Sequence, residues 1–141
     1  MEIISATAST RIWGFPPRTA LKNIRRLGEV AKLFRDAGVI SMTAFISPYG
    51  NDRLAARQVS KDHGFIEVFA DCPVRRVCEE RDPKGSYKKG REGIIKEFTG
   101  VSAPYEEPEN PEIHLHTDKM FVEACVRVIV DYLVTHHYIP A

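Results

Sequence analysis

Apolar residues recur at three- and four-residue steps from Ala20 to Ala37, at Leu21, Ile24, Leu27, Val30, Ala31 and Phe34. Lys22, Arg25, Arg26, Glu29 and Arg35 stand between them. That period predicts an amphipathic helix, and Gly38 stands where a C-cap glycine belongs. The run Val39 to Ile46 is apolar and partly β-branched. It predicts a strand, and its continuous apolarity favours burial on both faces of a parallel sheet. Ser47-Pro48-Tyr49-Gly50-Asn51 breaks that strand, and Asp52 to Ser60 reads as a short helix. Phe65 to Ala70 predicts a second strand. Pro73 suits a first helical position, opening a short turn with Val74, Val77 and Cys78 that runs into Arg81-Asp82-Pro83. Residues 84–111 hold few large apolar side chains and read as a long surface excursion, the kind of segment that carries function. Ile113 to His116 reads as a short strand, and Val122, Cys125, Val126, Ile129, Val130 and Leu133 as the face of a closing helix. Strands alternating with helices predict an α/β fold with a parallel sheet.

A length of 141 residues fits one globular domain. A composition of 43% hydrophobic and 28% charged residues is that of a folding chain rather than a disordered one. The net charge of +1 argues against a generic nucleic-acid or membrane binder. The first ten residues lack a basic start followed by an apolar stretch, so no secretion signal is read and a cytoplasmic protein is expected. Cys72, Cys78 and Cys125 are odd in number and form no CxxC pair, which predicts free thiols. Charge is unevenly spread. Seven basic residues between Arg11 and Arg35 face one acid, Glu29, and eight basic against four acidic residues lie between Arg75 and Lys96. Two basic segments beside strand ends suit a small, multiply anionic ligand, although solvated helix faces produce the same pattern.

Lys84-Gly85-Ser86-Tyr87-Lys88-Lys89-Gly90-Arg91 combines glycines, which let a loop close, with cations that neutralise phosphate. Its Gly85–Gly90 spacing mimics a phosphate-binding loop, but Arg91-Glu92 follows where Lys and Ser or Thr are required, so that match is rejected. His114 and His116 lie two apart on one strand face. With no third ligand visible, a structural or surface role is favoured and no metal is assigned. His136 and His137 suit a helix C-terminus.

Several runs together resemble adenylyl-sulfate kinases: Asn23-Ile24-Arg25-Arg26, Glu29 to Phe34, Phe45-Ile46-Ser47-Pro48-Tyr49, Phe65 to Phe69, Cys78 to Lys89, Phe98-Thr99-Gly100 and Pro104 to Pro108. The resemblance runs from Gly14 to the C-terminus, leaving residues 1–13 unmatched. It implies a P-loop kinase-like, three-layer α/β fold, and transfer of the γ-phosphoryl of Mg·ATP to the 3′-hydroxyl of adenylyl sulfate, making PAPS. By resemblance Phe15 and Phe98 sandwich the adenine, while Asn23, Ile46 and Lys84 contact substrate. Ser47 stands at the family's active-site serine. Lacking an adjacent base in the sequence, it is read as binding or positioning, with Arg53 adding charge beside it. Arg81, Lys88, Lys89 and Arg91 resemble a lid that closes over anionic groups.

Three departures accompany the resemblance. The 141 residues contain no GxxxxGK[ST] and no Asp-Gly-Asp. The domain at 14–141 is therefore expected to be an incomplete, N-terminally truncated kinase, without its first strands and phosphate loop and impaired in binding Mg·ATP. Ala20 stands where the family usually has arginine. Ser86 and Gly90 replace the lid's usual leucine and alanine, and a helical glycine is expected to loosen the lid by about 1 kcal/mol. Met1 to Ala6 is a candidate to fill part of the first strand's place. The alternative function is a non-catalytic module that binds adenylyl sulfate, or that dimerises with itself or a full-length kinase.

Overall fold

A computed structural model describes residues 4–5, 17–60, 64–73 and 77–141, with side chains for all of these except 4–5 and 17–23. Phe15 lies outside the described residues. The elements run in order β1 (Ile4–Ser5), α1 (Pro17–Asp36), β2 (Ser41–Met42), α2 (Gly50–Val59), β3 (Val68–Asp71), α3 (Ser86–Arg91), β4 (Ile113–His116) and α4 (Val122–Thr135). They fall into two compact units, Met1–Phe65 and Ile66–Ala141.

In the first unit the predicted amphipathic helix forms as α1, beginning three residues earlier than its apolar period because Pro17 suits a first helical turn. Its stripe buries Leu27, at 9% exposure, and α1 packs against α2 and β2. After Asp36 the chain reverses through Gly38 at φ +80°, a left-handed conformation that costs glycine nothing. The apolar run 39–46 is mostly unladdered. Among the described residues, Ser41–Met42 pairs in parallel with Ile4–Ser5. The segment Met1 to Ala6 thus does supply a partner, but a two-residue strand offers two residues of ladder, and Ile46 stays 59% exposed. The Arg57 guanidinium lies 4.9 Å from the centre of the Phe65 ring, in cation–π contact.

In the second unit β3 and β4 pair in parallel over four residues, Val68 with Ile113 through Asp71 with His116. The alternation of β4 sets the packing. Ile113 and Leu115 are each 4% exposed, while His114 and His116 face outward. Phe69 is buried on the histidine side, its ring stacked on His114 at 4.8 Å and near Tyr105 at 6.2 Å. Glu67 N–H donates to the Glu112 carboxylate at 2.7 Å, and Ile113 N–H to the Glu67 carbonyl at 3.1 Å, so pairing begins before the strands do. The closing helix forms as expected and packs on β4.

Leu115 is as fully buried as any described side chain of the second unit, so Leu115→Ala is expected to cost about 2–5 kcal/mol of unfolding free energy in urea. Val122, 74% exposed, is the control: Val122→Ala should stay within about 0.5 kcal/mol of wild type.

Candidate functional site

The stretch rich in glycine and cations is built on one carboxylate. Asp82-Pro83-Lys84-Gly85 closes a turn, with Gly85 N–H donating to the Asp82 carbonyl at 3.2 Å and Gly85 itself left-handed at φ +63°. The Asp82 side chain then accepts from three successive backbone N–H groups at the start of α3: Ser86 at 2.8 Å, Tyr87 at 2.9 Å and Lys88 at 3.2 Å. Those amides have no partner within their own helix, and the helix dipole adds attraction for a negative charge. Lys88, Lys89 and Arg91 complement the opposite end. This contact also gives a structural reason to reject Gly85–Gly90 as a phosphate loop, because the amides that would cradle phosphate are already held by Asp82.

Phe98 is mounted rigidly behind α3. Its N–H donates to Ser102 Oγ at 2.9 Å, and its carbonyl accepts the N–H groups of Val101, Ser102 and Ala103 at 2.9–3.0 Å. Tyr87 meets the Phe98 ring edge-on, with centroids 5.1 Å apart and planes at 76°, a favoured aromatic geometry. Gly90 also lies against the ring, where a Cβ would approach it to 3.1 Å. Sequence reasoning read Gly90 only as a loosening of the lid; in the fold it lets the helix backbone touch Phe98.

Cys78 Sγ sits 3.7 Å from the Cys72 carbonyl and bonds the Tyr87 hydroxyl. Burial, and then the neighbouring Cys78, push the Tyr87 hydroxyl up from 10.0 to about 12. Burial likewise pushes the Cys78 thiol upward. Both groups are therefore neutral at ordinary pH.

The predicted lid cations divide into two sets. Lys84, Lys88 and Lys89 are exposed, without ion-pair partners among the described residues. Arg81 donates to the Thr117 carbonyl at 3.2 Å, and Arg91 contacts Glu79 Oε1 through Nη2 at 2.5 Å and Nε at 3.1 Å. Exposed pairs of this kind hold about 0–1 kcal/mol, so the Arg91 contact opposes little should an anion compete for the guanidinium.

The first unit carries the other predicted positions. Asn23 lies in α1, its side chain outside the described set. Ile46 is exposed beside Ser47, whose backbone is left-handed at φ +42°. That conformation is costly for a residue with a Cβ, roughly 1–2 kcal/mol. It is held by Arg53, whose Nη1 donates to the Ser47 carbonyl at 2.7 Å. Arg53 thus reaches the strand end as the sequence suggested, through the backbone. Among the described residues no histidine or carboxylate bonds the Ser47 hydroxyl. Sequence reasoning missed Asp82 as the organiser of α3, since a capping contact that spans a proline is not visible as a local pattern. It also missed Asp71, which faces His114 and His116 only once β3 and β4 are in register.

These features match known proteins. A family model for adenylylsulphate kinase matches residues 10–116. The adenylyl-sulfate kinase of Saccharomyces cerevisiae is 55% identical over 128 residues, 89% of this chain and 63% of the relative. That of Staphylococcus epidermidis is 55% identical over 126 residues, with the same shares. The structure of Mycobacterium tuberculosis APS kinase CysC in complex with AMPPNP and APS aligns with a TM-score of 0.79 at 37% identity, covering 91% of this chain and 77% of that one. The chain belongs to the adenylyl-sulfate kinase family, and its α/β fold with parallel strand pairing is the P-loop kinase fold. It spans 63% of the length of these curated relatives. Among the described residues no helix is long and apolar enough to cross a membrane.

Two measurements probe how α3 is held. Asp82→Ala removes the cap and is expected to destabilise α3 by about 1–2 kcal/mol, seen as faster hydrogen exchange at Ser86, Tyr87 and Lys88 with β4 amides unchanged. Because the folded Tyr87 keeps its proton above the unfolded value of 10.0, its stabilisation is fully present below pH 10 and is lost as pH rises to about 12. Phenolate absorbance should show one late-titrating tyrosine, missing in Tyr87→Phe.

Proposed function

We propose that the chain serves sulfate activation as an adenylyl-sulfate kinase, supplying the part of that enzyme that holds adenylyl sulfate and closes over it. The family's full reaction moves the γ-phosphoryl of Mg·ATP to the 3′-hydroxyl of adenylyl sulfate. The observation that carries the reading is the Phe98 mount: an aromatic face fixed by four main-chain hydrogen bonds, in the unit that also holds the exposed lysine Lys84. A rigid ring suits a flat adenine, and an ammonium suits the phosphosulfate oxygens. By family resemblance Phe15, Asn23 and Ile46 are further substrate contacts. Ser47 positions substrate rather than attacking it, since among the described residues no histidine or carboxylate bonds its hydroxyl. Arg81, Lys88, Lys89 and Arg91 gather over the anionic groups.

The residues present do not fit the phosphates of Mg·ATP. The 141 residues hold no GxxxxGK[ST], and the one helix start with similar glycine spacing is capped by Asp82. No step is therefore routed through ATP. The reading for this polypeptide on its own is binding of adenylyl sulfate with little phosphoryl transfer, which is also the behaviour of a non-catalytic module.

Purified protein given Mg·ATP and adenylyl sulfate should form no PAPS above background, and turnover of about 1 s⁻¹ or more would overturn this. Calorimetric titration should show adenylyl sulfate binding without ATP binding. Phe98→Ala should weaken it by 1–3 kcal/mol, about fivefold to 150-fold, and Lys84→Ala should weaken it as well. Failure of adenylyl sulfate to bind at all would remove the binding reading.

A further inference from the structure

The strand pair at the centre of the second unit brings together three metal-ligating side chains that the adenylyl-sulfate assignment does not use. β3 ends on Asp71 and β4 on His116, paired in register, and His114 stands two residues earlier on the same face. Asp71 Oδ2 lies 3.1 Å from His114 Nε2 and 3.2 Å from His116 Nδ1. One donor atom from each of the three lies within 4.8 Å of the others. Zinc bonded tetrahedrally at about 2.0–2.1 Å spaces its ligands roughly 3.3 Å apart. Two of the three edges therefore already have nearly the required length, and rotation of an imidazole closes the third.

We propose that Asp71, His114 and His116 form a binding site for one divalent transition-metal ion of the zinc class. Two imidazole nitrogens and one carboxylate oxygen select zinc or cobalt over magnesium, which takes oxygen ligands. The side chains of His114, His116 and Asp71 are 42%, 49% and 33% exposed, so the ion enters from solvent and water completes its shell. The scaffold is rigid. Thr117 donates both N–H and Oγ1–H to the Asp71 carbonyl at 2.9 Å, locking the ends of β3 and β4 together. His114 is stacked on the buried Phe69 ring, and the His116 ring lies 4.3 Å from that of His114. Without metal, His114 Nε2 hydrogen-bonds the Asp71 carboxylate and His116 Nδ1 stands 3.2 Å from the same oxygen, which keeps the set assembled. With metal, each neutral imidazole carries its proton on the other nitrogen.

The test is titration of chelator-treated protein with Co²⁺, read by visible d–d absorption, then displacement with Zn²⁺. One equivalent should bind and produce the spectrum of a low-coordinate nitrogen–oxygen site. His116→Gln, and the near-isosteric Asp71→Asn, should each weaken binding at least about tenfold, with far-UV circular dichroism unchanged. His136→Gln, at the end of α4, should have no effect. Absence of stoichiometric binding, indifference to Asp71→Asn, or loss on Cys72→Ser or Cys78→Ser with thiolate charge-transfer bands would each overturn the proposal. None of these outcomes bears on adenylyl sulfate binding.

Discussion

Parallel pairing of β3 with β4 is the interaction on which the second unit depends. Four residues of register, extended at one end by Glu67 and Glu112 and locked at the other by Thr117 on the Asp71 carbonyl, decide which side chains enter the core. Because side chains alternate along a strand, the same register that buries Ile113 and Leu115 turns His114 and His116 outward beside Asp71. A slip of one residue would exchange the two sets.

The stretch around α3 is held differently. It has little apolar surface, so it cannot be held by burial, and local polar contacts replace packing. One carboxylate satisfies three helix-start amides, and one carbonyl gathers three N–H groups behind Phe98. Such contacts hold their own segment without fastening it elsewhere. The segment is internally ordered, and the exposed Arg91–Glu79 pair tethers it only weakly.

Legibility differed by residue for physical reasons. The helices at 17–36 and 122–135 were readable because a stripe of 3.6-residue period is a local property. The strand at 113–116 was readable from its alternation. The run 39–46 forms a strand at Ser41–Met42 among the described residues, since apolar character reports a tendency to pair while the ladder depends on the partner. Asp82 carried no reading of its own in the sequence, where it only ended a turn, yet its carboxylate reaches forward past Pro83 to start α3.

The amino-acid sequence alone determined the family, through ordered motifs, together with the positions of the main helices, the basic stretch at 84–91 and the absence of a GxxxxGK[ST] within these 141 residues. Each of these is written in neighbouring residues. Only the tertiary structure decided that Gly90 is a contact surface for Phe98, that Asp82 holds the anion position of α3, and that Asp71 completes a three-ligand cluster with two histidines more than forty residues away. Those outcomes depend on strand register and chain reversal, which bring distant residues within bonding distance and leave no periodic trace along the chain.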